Sequence, residues 1–210
     1  MMNLNSIAPQ EPRSDFELIP IGTVVRAIVQ VKPGDIQIPD YGHGNWFKAS
    51  QSSRAKWMEL EFTIVGGPFD RRKFWDRVFV DGDKMGASGM PEAKEIGLRT
   101  LRALIDSANG LDPADMSPEA QQRRTINGVS DLNGMEICAK IGIKKGTNGY
   151  QDQNKLMAAL TPKDKGYVGR GAGGYAPQPG NATAFAQAPQ PAQGQMPTAT
   201  SGAVPAWANR

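Results

Sequence analysis

The run Lys56-Trp57-Met58-Glu59-Leu60-Glu61-Phe62-Thr63-Ile64-Val65 decides the fold. Met58, Leu60, Phe62 and Ile64 fall on one side of an extended chain, and Trp57, Glu59, Glu61 and Thr63 on the other. That is the two-residue period of a half-buried strand. Gly66-Gly67-Pro68 then turns the chain, and Arg72–Val80 returns as the second arm of a hairpin. A register that sets Glu59 opposite Arg77 also sets Thr63 opposite Lys73. Slipping it by one residue would place Glu59 against Asp76, a like-charge pair, so the first register is favoured. It points Phe74 and Val78 inward beside Phe62 and Met58. It also turns Asp76 inward, where it needs a partner that the sequence does not name.

Working outward, Ile21–Val31 alternates too, with Val25, Ala27, Val29 and Val31 on one face and Arg26 and Gln30 on the other, until Pro33-Gly34 stops it. Residues 33–55 are rich in Gly, Ser and aromatics and have no period. Beyond the hairpin, Pro91-Glu92 opens a helix, because Pro suits the first turn and an early acid suits its dipole. Ala93, Ile96, Leu101, Leu104, Ile105 and Ala108 form its apolar stripe, and Asn109-Gly110 ends it. Ser117-Pro118-Glu119 starts a further short helical turn. Met135–Lys145 alternates again with Ile137, Ala139, Ile141 and Ile143 on one face, a basic turn runs from Lys144 to Gly149, and Asn154–Leu160 is a last strand. Strand, strand, strand, helix, strand, strand is the order of an OB fold. The expectation is an all-β domain with one main helix: a five-stranded OB-type β-barrel with its helix between the third and fourth strands.

Of the 210 residues, 39% are hydrophobic, which suits a real core diluted by polar sequence. From Ala172 onward the only charged side chain is Arg210. Such a stretch buries too little apolar surface to offset its ordering entropy. The chain therefore divides into a flexible N-terminal arm (1–15), a folded domain (16–165) and a disordered Gly/Pro/Gln/Ala-rich tail (166–210). A net charge of +3 is mild and names no partner by itself.

Several function classes drop out. The single cysteine, Cys138, excludes an intramolecular disulfide, and with His43 as the only histidine the usual zinc sites are excluded too. No GxxxxGK[ST], HExxH or GxSxG stands in the chain. Cys138 falls mid-strand, where a small buried thiol is expected, and His43 sits in a Gly-flanked loop. The reading is a non-enzymatic protein with no metal and no cofactor. The polar start shows no signal peptide, and no apolar run reaches membrane length, so a soluble, cytoplasmic protein is expected.

What stands out is cations interleaved with aromatics. The first loop carries Tyr41, Trp46, Phe47, Lys48, Arg54, Lys56 and Trp57. The third strand and its approach carry Arg71, Arg72, Lys73, Trp75 and Arg77, and the turn before the last strand carries Lys144, Lys145 and Tyr150. In an OB barrel all three groups map to the face formed by the second and third strands and the two loops beside it. Cations track phosphates, while rings stack on bases of any identity, provided the bases are not already paired in a duplex. Single-stranded nucleic acid is the ligand that fits. Each group also has a plainer role: Trp75 as core, Trp46 and Trp57 as caps on a barrel end, Arg71–Lys73 as a solvated tip, and Lys144-Lys145 as solubilising charge. Nothing separates DNA from RNA, since a 2′-OH contact leaves no mark in the sequence. A small β-barrel that binds a protein and no nucleic acid is the reading from another class. In the tail, Val204-Pro205-Ala206-Trp207 is the one compact apolar group near the terminus, and Trp207 is a candidate anchor for a partner protein.

Three stretches also resemble a known family: Trp57 to Ile64 with Gly66-Gly67, Arg72-Lys73-Phe74-Trp75-Asp76-Arg77, and Leu132-Asn133-Gly134. The likeness extends through Leu101–Ala108 and from Tyr150 to Asn154-Lys155, covering most of residues 20–162. It is to a phage-encoded single-stranded-DNA-binding family with an OB-like fold, formerly catalogued as a domain of unknown function. The resemblance implies single-strand binding in phage or prophage DNA replication and recombination inside the bacterial host cell, often beside a strand-annealing protein that the tail could recruit. At matching positions it supports Arg72, Lys73 and Arg77. The first loop is individual to this chain. The tail lacks the acidic tip common among single-strand binders, ending Ala208-Asn209-Arg210.

Overall fold

Glu59 stands opposite Arg77 and Thr63 opposite Lys73, the register that charge pairing favours. The hairpin consists of β3 (Lys56–Ile64) and β4 (Lys73–Asp81) in a computed structural model that describes residues 17–147 and 149–169. The N-terminal arm, the tail from 170 onward and Trp207 lie outside the described residues. The other elements are β1 (Val24–Val31), β2 (Lys48–Ala49), α1 (Glu92–Asn109), α2 (Pro118–Arg124), β5 (Glu136–Lys144) and β6 (Gln153–Leu160).

Among the described residues, six strands pair antiparallel in one sheet. β4 runs along one edge of β3. Along the other edge, β1 pairs with the second half of β3 and β2 with its first two residues. β5 and β6 follow on the far side of β1. The sheet thus holds six strands where periodicity predicts five. The addition, β2, is two residues long, too short to show an alternation.

Alternation places the core as expected. Met58, Leu60, Phe62 and Ile64 of β3 are buried, as are Ala27, Val29 and Val31 of β1. Phe62 and Phe74 stack across the hairpin with ring centroids 4.8 Å apart. Asn133 and Asn154 close two main-chain gaps. Asn133 Oδ1 accepts from the Val31 N–H at 2.7 Å, and Asn154 both accepts from and donates to the backbone of Ile19.

α1 ends at Gly110, whose left-handed backbone (φ 61°) lets its N–H reach back to Asp106 and Ser107. Its stripe needs one correction. Leu101, Leu104, Ile105 and Ala108 are buried, but Ile96 is exposed and Gly97 takes the buried place. The helix crosses β4 so closely there that a Cβ on Gly97 would stand 1.8 Å from the Phe79 carbonyl oxygen. α2 is capped by Ser117 Oγ, which accepts from Ala120 N. From its last turn Arg124 pairs with the buried Asp106 at 2.6 Å, pinning α2 to α1. Beyond residue 165 the described chain continues against the domain, where the Tyr167 hydroxyl donates to Ser107 O and Val168 N–H meets Cys138 Sγ. Among the described residues, no helix is long and apolar enough to cross a membrane.

Candidate nucleic-acid interface

Because β3 and β4 bury one side in the core, their other side is presented as a set of cross-strand pairs. Trp57 lies opposite Phe79, Glu59 opposite Arg77, Glu61 opposite Trp75 and Thr63 opposite Lys73. Neighbours of this kind sit within about 5 Å of each other at Cβ, so their side chains must interact. The Trp57 and Phe79 rings approach to 5.9 Å, and the Arg77 guanidinium lies 5.4 Å from the Trp57 ring centre. Trp75 is 54% exposed and Phe79 39%, so two flat apolar surfaces face solvent with Arg77 between them.

The cations here are held in pairs. Glu59 is shared by Lys48 at 2.8 Å and Arg77 at 3.2 Å. Glu61 is shared by Lys73 at 2.7 Å and Lys32 at 3.4 Å, and it also accepts from Trp75 Nε1 at 3.2 Å. Asp81 is shared by Lys56 at 3.1 Å and Arg54 at 3.8 Å. Two cations to each carboxylate leave the face with a surplus of positive charge. The Lys48 hydrogen bond holds the Glu59 carboxyl below its ordinary value, and the Lys73 hydrogen bond does the same for Glu61. Burial pushes Asp81 up, but Lys56, the Gly82 N–H and Arg54 together bring it below its ordinary value. Ion pairs whose cations stand this far into solvent add little to stability. Their effect is to hold long, mobile cations in defined positions.

The first half of β4 opens onto a cleft of about 1500 Å³, which β6 and the turn before it line from the other side. Arg71, Arg72, Lys73, Arg77, Lys144 and Lys155 border it. Asp76 reaches toward it from the inner side of β4. Burial raises its carboxyl above the ordinary range, offset in part by the Arg77 N–H, from which it accepts at 2.8 Å, and by the charges of Lys155 and Lys144. That supplies the surroundings for the inward aspartate that the sequence leaves without a partner.

The expected residues do not all reach this face. Lys48, Arg54, Lys56, Trp57, Lys73, Trp75 and Arg77 do. Phe47 does not: it is 1% exposed, with its ring 5.2 Å from Tyr41 in the core, so it cannot stack on a base. The irregular segment 33–55 turns it inward because its backbone bonds to Asp35 and Ile36. Trp46 is half-buried, its Nε1 bound to His43 O, and it borders a separate depression on the outer side of β1. Arg71 projects into solvent at the hairpin tip. Arg72 is engaged by the Glu17 carbonyl and lies over Phe69. Lys145 is paired with Asp152, Lys144 borders the cleft with no ion pair among the described residues, and Tyr150 is 77% exposed.

Sequence reasoning missed Lys32, Phe79, Lys155 and the anchoring role of Glu59 and Glu61. Phe79 was legible, since it continues the period-two set Lys73, Trp75, Arg77. Lys32 and Lys155 stand beside no aromatic and carry no such signal. Compared with known proteins, the chain matches no family model and no curated protein.

Proposed function

We propose that this chain is a sequence-tolerant single-stranded-DNA-binding protein, without enzymatic activity, that acts in phage or prophage DNA replication and recombination. One observation carries the reading. Exposed Trp75 and Phe79 alternate with Arg77 and Lys73 along β4, on a face with surplus positive charge that opens into a cation-bordered cleft. Bases stack on the rings and phosphates meet the cations, an arrangement that needs unpaired bases and reads no particular one. An OB-type barrel accommodates this: β4 and β6, the end strands of the sheet, line the same cleft, α1 packs against β4, β5 and β6, and the β3–β4 surface is the one OB folds use. The resemblance of the hairpin to the phage family supports the biological setting. Cys138 plays no chemical part in this reading, since burial raises its thiol and keeps it protonated at neutral pH.

The pairing of nearly every cation on the face favours a second reading, a protein-interaction surface with no nucleic-acid ligand. Titration with labelled oligo-dT, oligo-rU and duplex at two salt concentrations separates the two. Oligo-dT should bind more tightly than duplex, with log K against log salt falling at about −0.7 per phosphate neutralised. Equal affinity for duplex, or no binding at low salt, would overturn the proposal. Tighter binding of oligo-rU would make the ligand RNA.

A further inference from the structure

Glu61 is a carboxylate in the middle of a face that would bind a polyanion, and its side chain is only 7% exposed. Electrostatics alone argues against it, because a negative charge there repels phosphate. Its contacts suggest why it is there. One oxygen accepts from Lys73 Nζ, and the other from Trp75 Nε1 and from Lys32 Nζ. Lys73 and Trp75 lie on β4, and Lys32 lies just past the end of β1, on the opposite side of β3. The Trp75 indole is thereby tied at its polar edge while more than half of its surface stays open. A ring already fixed loses little further rotamer freedom when a base stacks on it, and the same holds for an ammonium already placed.

We propose that Glu61 is a positioning residue for single-strand binding, one whose negative charge strengthens the affinity for a polyanion by holding Trp75 and Lys73 in their binding geometry. The inference rests on the single-strand reading above. It makes a prediction of sign. If Glu61 only contributes charge, Glu61→Gln removes a repulsion and frees two lysines, so oligo-dT binds more tightly. If Glu61 positions the site, Glu61→Gln weakens binding, by several-fold to about tenfold, within the range that losing the stacked ring would cost.

The experiment is a double-mutant cycle on the full chain, with oligo-dT affinity read for wild type, Glu61→Gln, Trp75→Phe and the pair. Trp75→Phe keeps a flat ring but lacks the N–H that Glu61 holds. Glu61→Gln should cost clearly less in the Trp75→Phe background than in wild type, with folding checked by thermal melting. A purely structural Glu61 would lower the melting temperature and leave the two effects additive. A second measurement needs no Glu61 variant. The Trp75 indole proton, assigned by its loss in Trp75→Phe, should exchange slowly in the free protein and stay slow with oligo-dT bound. Equal or tighter binding by Glu61→Gln, additive effects, or a freely exchanging indole proton would overturn this inference while leaving single-strand binding in place. Failure of the wild type to bind oligo-dT would overturn both.

Discussion

Glu61 and Asp76 sit one step apart on neighbouring strands, and their surroundings are opposite. On the outer side of the hairpin, Glu59, Glu61 and Asp81 each hold two cations, and all three carboxyls lie below their ordinary values. On the inner side, Asp76 is raised by burial and has a backbone N–H as its closest partner, while Lys144 and Lys155 influence it without forming an ion pair. The outer face is a network complete without a ligand. In the cleft, Lys144 and Lys155 make no ion pair among the described residues. We infer that the outer face is the prearranged part of the binding surface and the cleft the adjustable part.

The largest effect would break both regions at once. Phe74→Ala removes a fully buried ring stacked on Phe62, the layer that supports the two sides of the hairpin. It should cost roughly 3–5 kcal/mol of stability. Chemical denaturation reads this directly, and oligo-dT affinity should fall with the fraction folded. A loss under about 1 kcal/mol would mean that this layer collapses around the gap and is not the shared support.

Trp75→Ala tests the outer face and leaves Lys144 and Lys155 in place. With 54% of the residue exposed, stability should change little, while oligo-dT affinity drops by roughly 1–3 kcal/mol once no base can stack there. Melting and binding measured on one preparation separate these effects. A large stability loss with unchanged binding would return Trp75 to a packing role.

The hairpin shows how much of this was legible. Its register followed from charge pairs on adjacent strands, and its buried face from period two, because both are local patterns. α1 was legible for the same reason, down to Gly110. What escaped depends on contacts distant in sequence. Lys48 reaches Glu59 from β2, and Lys32 reaches Glu61 from just past the end of β1. Phe47 turns inward within a loop that has no period. Gly97 displaces Ile96 because β4 passes too close for a side chain. Of the ion pairs on this face, Glu59 with Arg77 was legible, while those of Lys32, Lys48 and Lys73 were not.

The carboxylates on the two sides should respond oppositely to pH. Glu59 and Glu61 are lowered in the folded state, so their contribution is complete above the ordinary glutamate value and drains away as pH falls through their lowered values. Asp76 is raised. Between the ordinary aspartate value and its own, the folded chain keeps a proton that the unfolded chain has released, so stability falls as pH rises through that window. Asp76→Asn keeps an acceptor for the Arg77 N–H and removes the buried charge. Its melting temperature should exceed that of wild type at pH 7, and the difference should close as pH drops toward the ordinary aspartate range. A pH-independent difference would show that Asp76 is already compensated.

The smallest effect belongs to the hairpin tip. Arg71 is the one described non-glycine residue with positive φ, at 62°, and its side chain is 92% exposed with only a loose 3.6 Å contact to Asp70. A glycine adopts that backbone without strain, so Arg71→Gly removes a charge and relieves the conformation together. Its flexibility in the unfolded chain offsets part of the gain, and stability should move by no more than about 1 kcal/mol. If phosphates follow the paired cations of the outer face and then Lys144 and Lys155, Arg71 at the hairpin-tip rim of the cleft lies off their path. Oligo-dT affinity and its salt slope should then match wild type, whereas Lys144→Ala with Lys155→Ala should flatten the slope by about 0.7 for each phosphate no longer neutralised. A slope that flattens in Arg71→Gly and holds in the double lysine variant would place the strand over the hairpin tip. The Lys144 and Lys155 side of the cleft would then be no part of the binding surface.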